Sequence, residues 1–318
     1  IPKQSQMKLA PAENLRYEAA CFGQAAASGH TPKLLAVLPV APGLPHGALV
    51  VEEIVGRAAV LPRDLAAIAA ALAALHRLPL PAPAMRRPLQ DAADPLCALL
   101  AEIETQAEFM AQAGLGASAA HAIGDELDRL RELCAGAARP PRRLVAFDAH
   151  PGNFLIDSGG RAVLVDLEKC RYSHAGLDLA HATLYTSTTW SRSTAAALTP
   201  AEVIAFYDNW ATAVGADPAS ELAWHLPLRR AMWLWSITWC AKWRVLSRRS
   251  RRSVGTSDTS DTGATSAASG EDWSAELSDG RLIAHVEERV DHYLGDVGIA
   301  CVRDEFVAMA TAFDGRAS

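Results

Sequence analysis

The chain has 318 residues, half of them hydrophobic and 21% charged, with a net charge of −6. That is globular composition, ample for one large or two modest domains with a real core, and its mild acidity gives no support for general nucleic-acid binding, which wants a basic surface. The six cysteines lie far apart with no C-x-x-C pair, which argues against a zinc cluster or disulfide framework and predicts reduced thiols in the cytoplasm. The apolar runs Leu65–Leu75 and Ala231–Ala241 are too short to span a membrane, and no secretory signal is present.

Residues 1–54 mix extended and helical signals. Gln6–Ala10 reads as a short strand ending at Pro11. Asn14–Ser28 has helical composition, with Asn14 as N-cap and Gly29 as stop. Lys33–Pro39 and Gly47–Ile54 are β-like runs separated by the Pro/Gly-rich APGLPHG. Pro62, Arg63 and Asp64 then open an Ala/Leu-rich helix to about Leu78. LPLPAPAMRRP follows as a loop, and Asp94–Gly114 and Ala117–Ala135 read as two further helices. Pro140-Pro141 ends this helical region, and two short strands follow. Helices return at Pro200–Val214, at Pro218–Ser247 with a break expected near Pro227, and at Gly280–Leu294. Ser253–Asp272 is rich in Ser, Thr, Gly and Asp and reads as a flexible insertion.

The chemistry concentrates in residues 147–157, FDAHPGNFLID. Asp148 and Asn153 lie five residues apart in a loop made compact by Pro151-Gly152. Asp166 comes thirteen residues after Asn153, at the end of a second apolar run. Residues 154–157 and 161–165, with Gly159-Gly160 between them, predict a β-hairpin. A hairpin brings its ends together, so Asn153 and Asp166 stand side by side with Asp148 near. An amide oxygen and a carboxylate facing one point suit Mg²⁺. A second carboxylate beside them can orient or deprotonate an alcohol, and the set suits phosphoryl transfer.

This stretch resembles the catalytic loop of the aminoglycoside phosphotransferase and choline kinase group, whose usual form is H-G-D-x-H-P-G-N followed by I-D-[WFL]-[ED]. Here A-F-D-A-H-P-G-N is followed by L-V-D-L-E. The resemblance runs from about Lys8 to Ala182. It implies an α+β, two-lobed protein-kinase-like fold: a small mixed lobe over residues 1–55, and a mainly helical lobe over 56–318 carrying the catalytic loop 146–168. It also implies ATP and Mg²⁺ as cofactors and a small-molecule alcohol as acceptor, whether aminoglycoside-, amino-alcohol- or sugar-like. Asp148 becomes the catalytic residue, and Asn153 and Asp166 the metal ligands. Lys8 resembles the lysine that contacts the ATP phosphates, and Glu18 the glutamate that pairs with it. Leu49–Ile54, with Glu52, Glu53 and Ile54, resembles the hinge that receives adenine. Asp178, in D-L-A, resembles the residue that supports the loop.

Two departures stand out. Ala146 occupies the position where the family usually has histidine. Only seven residues precede Lys8, so the Gly-rich loop and first strands are expected before Ile1. Several side chains carry two readings. His150 reads more as a turn brace than as an acid or base. Glu168 reads equally as a metal or substrate contact and as a solvated acid. Trp235, Trp239 and Trp243, at i, i+4 and i+8, share a helix face that either packs in the core or cages a quaternary ammonium. Glu271, Asp272, Glu276 and Asp279 are the acidic candidates for an aminoglycoside pocket. A catalytically weak, nucleotide-binding kinase-like protein is the rival reading.

Overall fold

The computed structural model describes residues 9–191, 195–215, 218–255 and 280–314. Lys8, nearly all of the insertion, and Glu271, Asp272, Glu276 and Asp279 lie outside the described residues.

Helix α1 spans Pro11–Ala25. It begins earlier than expected because Pro11 sits at its first turn, where a fixed φ pre-organises the helix. Asn14 is therefore not a cap. It is buried inside the helix and donates from Nδ2 to Glu18 Oε1 at 2.6 Å. Strands β1 (Leu34–Leu38) and β2 (Ala48–Val51) pair antiparallel, as their composition predicts. The unexpected element is β3, Gly56–Ala58, which pairs with residues 155–157. A Cβ on Gly56 would lie 2.7 Å from the Ile156 carbonyl oxygen, so that close approach requires glycine.

Helix α2 is Leu65–His76. Residues 61–64 form a turn instead of its first turn. There the Asp64 carboxylate accepts Val60 N–H at 2.7 Å and the Arg57 guanidinium at 2.6 and 2.9 Å. Helices α3 (Pro95–Ala107) and α4 (Ala117–Ala135) follow. Strand β4 (Arg143–Val145) leads into the loop. The hairpin strands β5 (Phe154–Asp157) and β6 (Ala162–Leu164) pair antiparallel, with Phe154 opposite Leu164. Strand β7 (Arg171–Ser173) pairs back on β4. Helices α5 (Ala175–Thr183), α6 (Tyr185–Thr188) and α7 (Pro200–Val214) come next, the last opened by a Thr199/Glu202 capping box.

Helix α8 runs unbroken from Pro218 to Gly255. The expected break at Pro227 is absent, and Ser253, the expected start of the insertion, is still helical. An interior proline costs about 3 kcal/mol. Leu228, Ala231, Met232, Trp233 and Leu234 directly after it are all buried, and fully burying side chains of this kind contributes roughly 1.5–3 kcal/mol each. Helix α9 is Gly280–Leu294, and α10, which was not anticipated, is Asp296–Asp314. The buried residues Ile299, Val302, Phe306, Met309 and Phe313 give α10 a 3-4 spacing against the core. Among the described residues no helix is long and apolar enough to cross a membrane.

Two apolar clusters form the core. One gathers α1, α2, α7 and the hairpin; the other gathers α3, α4, α8, α9 and α10. A buried polar chain crosses the first. Trp210 Nε1 donates to His76 Nδ1 at 2.9 Å, and His76 Nε2 lies 3.0 Å from Asp178 Oδ2. An indole N–H only donates, so Nδ1 must accept and Nε2 carries the proton given to Asp178.

Candidate active site

The loop between β4 and β5 is held from beneath. Asp178 accepts the backbone N–H of Ala146 at 2.7 Å and of Phe147 at 2.8 Å. This matches the supporting role expected of Asp178, and it accounts for Ala146. The backbone there is fastened by α5, and the fully buried Ala146 side chain has no bracing to do. Phe147 adopts φ 62°, a left-handed conformation uncommon for a bulky residue. Packing holds it: its ring meets Trp235 edge-on at 5.1 Å and the Arg171 guanidinium at 3.7 Å. The resulting kink turns Asp148 toward a cavity of about 240 Å³.

Local turn chemistry shapes the remainder. His150 Nδ1 accepts Gly152 N–H at 3.1 Å, in keeping with the brace reading. Asn153 Nδ2 donates to the Asp148 carbonyl at 2.9 Å, which leaves the amide oxygen for another partner. Val165 N–H donates to the Asn153 carbonyl at 2.9 Å, so the ladder sets Asn153 beside Asp166 as the hairpin predicts. The Asp157 carboxylate closes the turn on Gly159 and Arg161 N–H, both at 2.9 Å.

Asp148, His150, Asn153, Asp166 and Glu168 all line the cavity. Glu18, Glu52, Glu53 and Ile54 do not. Glu18 lies close enough to Asp166 that this carboxylate, after burial, helps raise its pKa. The Glu52 N–H is used on the Lys33 carbonyl at 2.8 Å, so its backbone donor is already taken.

Two residues at the site were missed. Lys169 Nζ lies 2.6 Å from Asp148 Oδ2, and both side chains are largely buried. His181 Nδ1 lies 3.8 Å from Asp148 Oδ1, beyond hydrogen-bond range. The signals were nearby: Lys169 is three residues past Asp166, and His181 is one helical turn past Asp178. Burial alone would raise the Asp148 carboxyl. The ammonium of Lys169 outweighs it and holds Asp148 ionised, well below the usual carboxylate range. Burial pulls the His181 imidazole down to about 4, so it is neutral at pH 7. The tryptophan stripe divides. Trp235 and Trp239 line the cavity with Trp190 and Tyr293, whereas Trp233 and Trp243 are buried in the core.

The donor set fits a hard divalent cation. Asn153 offers an amide oxygen and Asp166 a carboxylate, with Glu168 and Glu18 crowding the same region. Among the described residues no group of three or more His, Cys, Asp or Glu forms a ready-made metal cage. Burial first, then Asp166, pushes the Glu168 carboxyl up to about 7 from an ordinary 4.5. The folded protein thus holds a proton there that the unfolded chain has released, and stability falls as pH rises between those values. Without metal or nucleotide, Glu168→Gln is expected to raise the melting temperature by about 2–4 °C at pH 8 and to change it little at pH 5. Thermal denaturation at the two pH values checks this.

A small sheet presenting a polar loop to a mainly helical body defines a protein-kinase-like fold. More narrowly, the chain belongs to the phosphotransferase enzyme family APH, whose family model matches residues 5–213. Solved structures agree on the fold. A choline/ethanolamine kinase family protein from Mesorhizobium loti is 18% identical, with a TM-score of 0.54 over 94% of this chain and 82% of that one. An aminoglycoside phosphotransferase from Alicyclobacillus acidocaldarius is 16% identical, with a TM-score of 0.51 over 97% and 84%. An amicoumacin kinase, solved with AMP-PNP, Ca²⁺ and Ami, is 14% identical, with a TM-score of 0.51 over 92% and 82%. No curated protein matches the chain.

Proposed function

We propose that this chain moves the γ-phosphate of ATP to a hydroxyl of a small molecule. The observation that carries the reading is the gathering of Asp148, Asn153 and Asp166 at one cavity, on a loop fastened by Asp178. Asp148 orients the acceptor hydroxyl and takes its proton. Held ionised by Lys169, it is a weak base, which suits a loose transition state that asks little push from the nucleophile. Most of the acceleration then comes from positioning and charge neutralisation. Asn153 and Asp166 hold the divalent cation, which neutralises charge on the phosphates when bound. Lys8, paired with Glu18, is assigned the α- and β-phosphates on sequence resemblance, and Glu53 and Ile54 offer backbone groups to adenine. The pairing of β3, which begins at Gly56, with β5 supports placing the lobe boundary at residue 55.

Asp166→Ala is expected to weaken Mg²⁺-dependent ATP binding on the order of tenfold or more. Titration of ATP with and without Mg²⁺ checks it; equal binding by the variant and the parent would remove Asp166 from the metal site. The function itself is tested by ATP-dependent phosphorylation across aminoglycosides, amino alcohols, sugars and nucleosides. The ion pair that occupies Asp148 favours one rival, a nucleotide-binding protein with little turnover. Stabilisation by Mg²⁺-ATP with no product from any acceptor would favour that rival.

A further inference from the structure

The cavity has a charged end and an uncharged end. Its charged lining residues, Asp148, Asp166, Glu168 and Lys169, all come from the catalytic loop and the segment after β6. The lining from α8, α9 and the turn after α6 is aromatic or apolar apart from Ser236: Trp190, Trp235, Ile237, Trp239, Cys240 and Tyr293. Trp190 stacks on Tyr293 at 6.1 Å with 25° between the rings, and meets Trp239 edge-on at 6.0 Å. An aromatic wall of this kind attracts cations, but here the protein supplies the cation. Lys169 Nζ sits 5.8 Å from the Trp235 ring centroid while bonded to Asp148.

The Trp235 indole and the carboxylate behind it are also engaged. The Trp235 indole donates to Glu102 at 3.2 Å, and Glu102 is ion-paired with Arg171 at 2.7 Å. A substrate cation placed on this wall would face the Lys169 ammonium, whose partner Asp148 is already neutralised, while Asp166 is assigned to the metal. Taking a second ammonium out of water there is unfavourable.

We infer that the acceptor is an uncharged alcohol with an aromatic or similarly flat apolar body, and that Lys169 is the specificity-determining residue that excludes cationic alcohols. The body packs against the wall that Trp190, Trp235 and Trp239 form, and the reacting hydroxyl reaches Asp148. This rests on the phosphotransferase reading.

The test compares two benzyl alcohols of nearly identical shape, one with a para tert-butyl group and one with a para trimethylammonium group. Calorimetric titration measures binding to the whole chain with Mg²⁺ and a non-hydrolysable ATP analogue, and ADP release measures turnover with Mg²⁺-ATP. The parent protein is expected to bind the neutral alcohol at least about tenfold more tightly. Lys169→Met should erase most of that preference, because the cation then meets an unpaired Asp148. Lys169→Gln, which keeps a hydrogen bond to Asp148, serves where the Met variant does not fold. Equal or tighter binding of the cation by the parent, binding of neither alcohol, or an unchanged preference in the folded Lys169 variant would overturn the inference. Neutral-selective binding without ADP release supports the charge assignment and counts against the phosphotransferase reading. ADP release with the cation alone does the reverse.

Discussion

Asp148→Asn is expected to lower the phosphorylation rate by about 10²–10⁴-fold, the usual contribution of a positioned proton acceptor. Nucleotide binding should be nearly unchanged, because the metal-facing pair Asn153 and Asp166 is untouched. The substitution also alters the partner of a buried ammonium, Lys169 Nζ at 2.6 Å. Removing one member of a buried ion pair costs about 3–5 kcal/mol, and the amide oxygen that remains recovers part of this by accepting from Lys169. Melting temperature and ATP affinity therefore have to be read beside the rate. A folded, ATP-binding Asp148→Asn protein that phosphorylates its acceptor at the full rate would remove Asp148 from the chemistry.

Asp178 is the second position where a large effect is expected, and this one falls on folding. Its carboxylate accepts from three buried donors: Ala146 N–H, Phe147 N–H and His76 Nε2–H. Each donor left unsatisfied costs about 1–3 kcal/mol, so Asp178→Ala should lose about 3 kcal/mol or more. Asp178→Asn has nearly the same shape, but its NH₂ would point at an N–H, and it should lose almost as much. The Phe147 kink depends on the same support, so catalytic rate should fall with stability. Denaturant unfolding of the two variants gives the first result, and turnover at a temperature where both remain folded gives the second. An Asn variant as stable as the parent would mean that the donors find other partners.

The chain from Trp210 through His76 to Asp178 also explains how the loop dispenses with the family's usual histidine. The loop's geometry is set by where its backbone N–H groups go. Those of residues 146 and 147 go to Asp178, so a small buried residue suffices at 146.

Much of the site was legible because its physics is local. Pro151 and Gly152 compact the turn, short continuous apolar runs form β5 and β6, and Gly159-Gly160 permits the reversal. These few residues bring Asn153 to Asp166 without help from the remainder of the chain. Helix α10 was legible in the same sense: its 3-4 apolar spacing from Ile299 to Phe313 is present in the sequence. The break expected at Pro227 followed a sound local rule that burial overrode. The start of α1 was misread because Asn14 looks like a cap, while Pro11 already suits a first turn.

The sequence by itself determined the loop and its hairpin, which rest on residues within about twenty positions of one another, and the family, which the order of motifs from about Lys8 to Ala182 carries. Only the tertiary structure decided what surrounds Asp148. Lys169, His181, Trp190, Trp235 and Tyr293 reach one cavity from separate elements. Periodicity states which side of a helix turns inward, but not which partner it meets there. The tryptophans of α8 show the difference: one spacing places Trp235, Trp239 and Trp243 on a common face, yet packing against α9 and Trp190 leaves a cavity beside two of them and closes the core over the third.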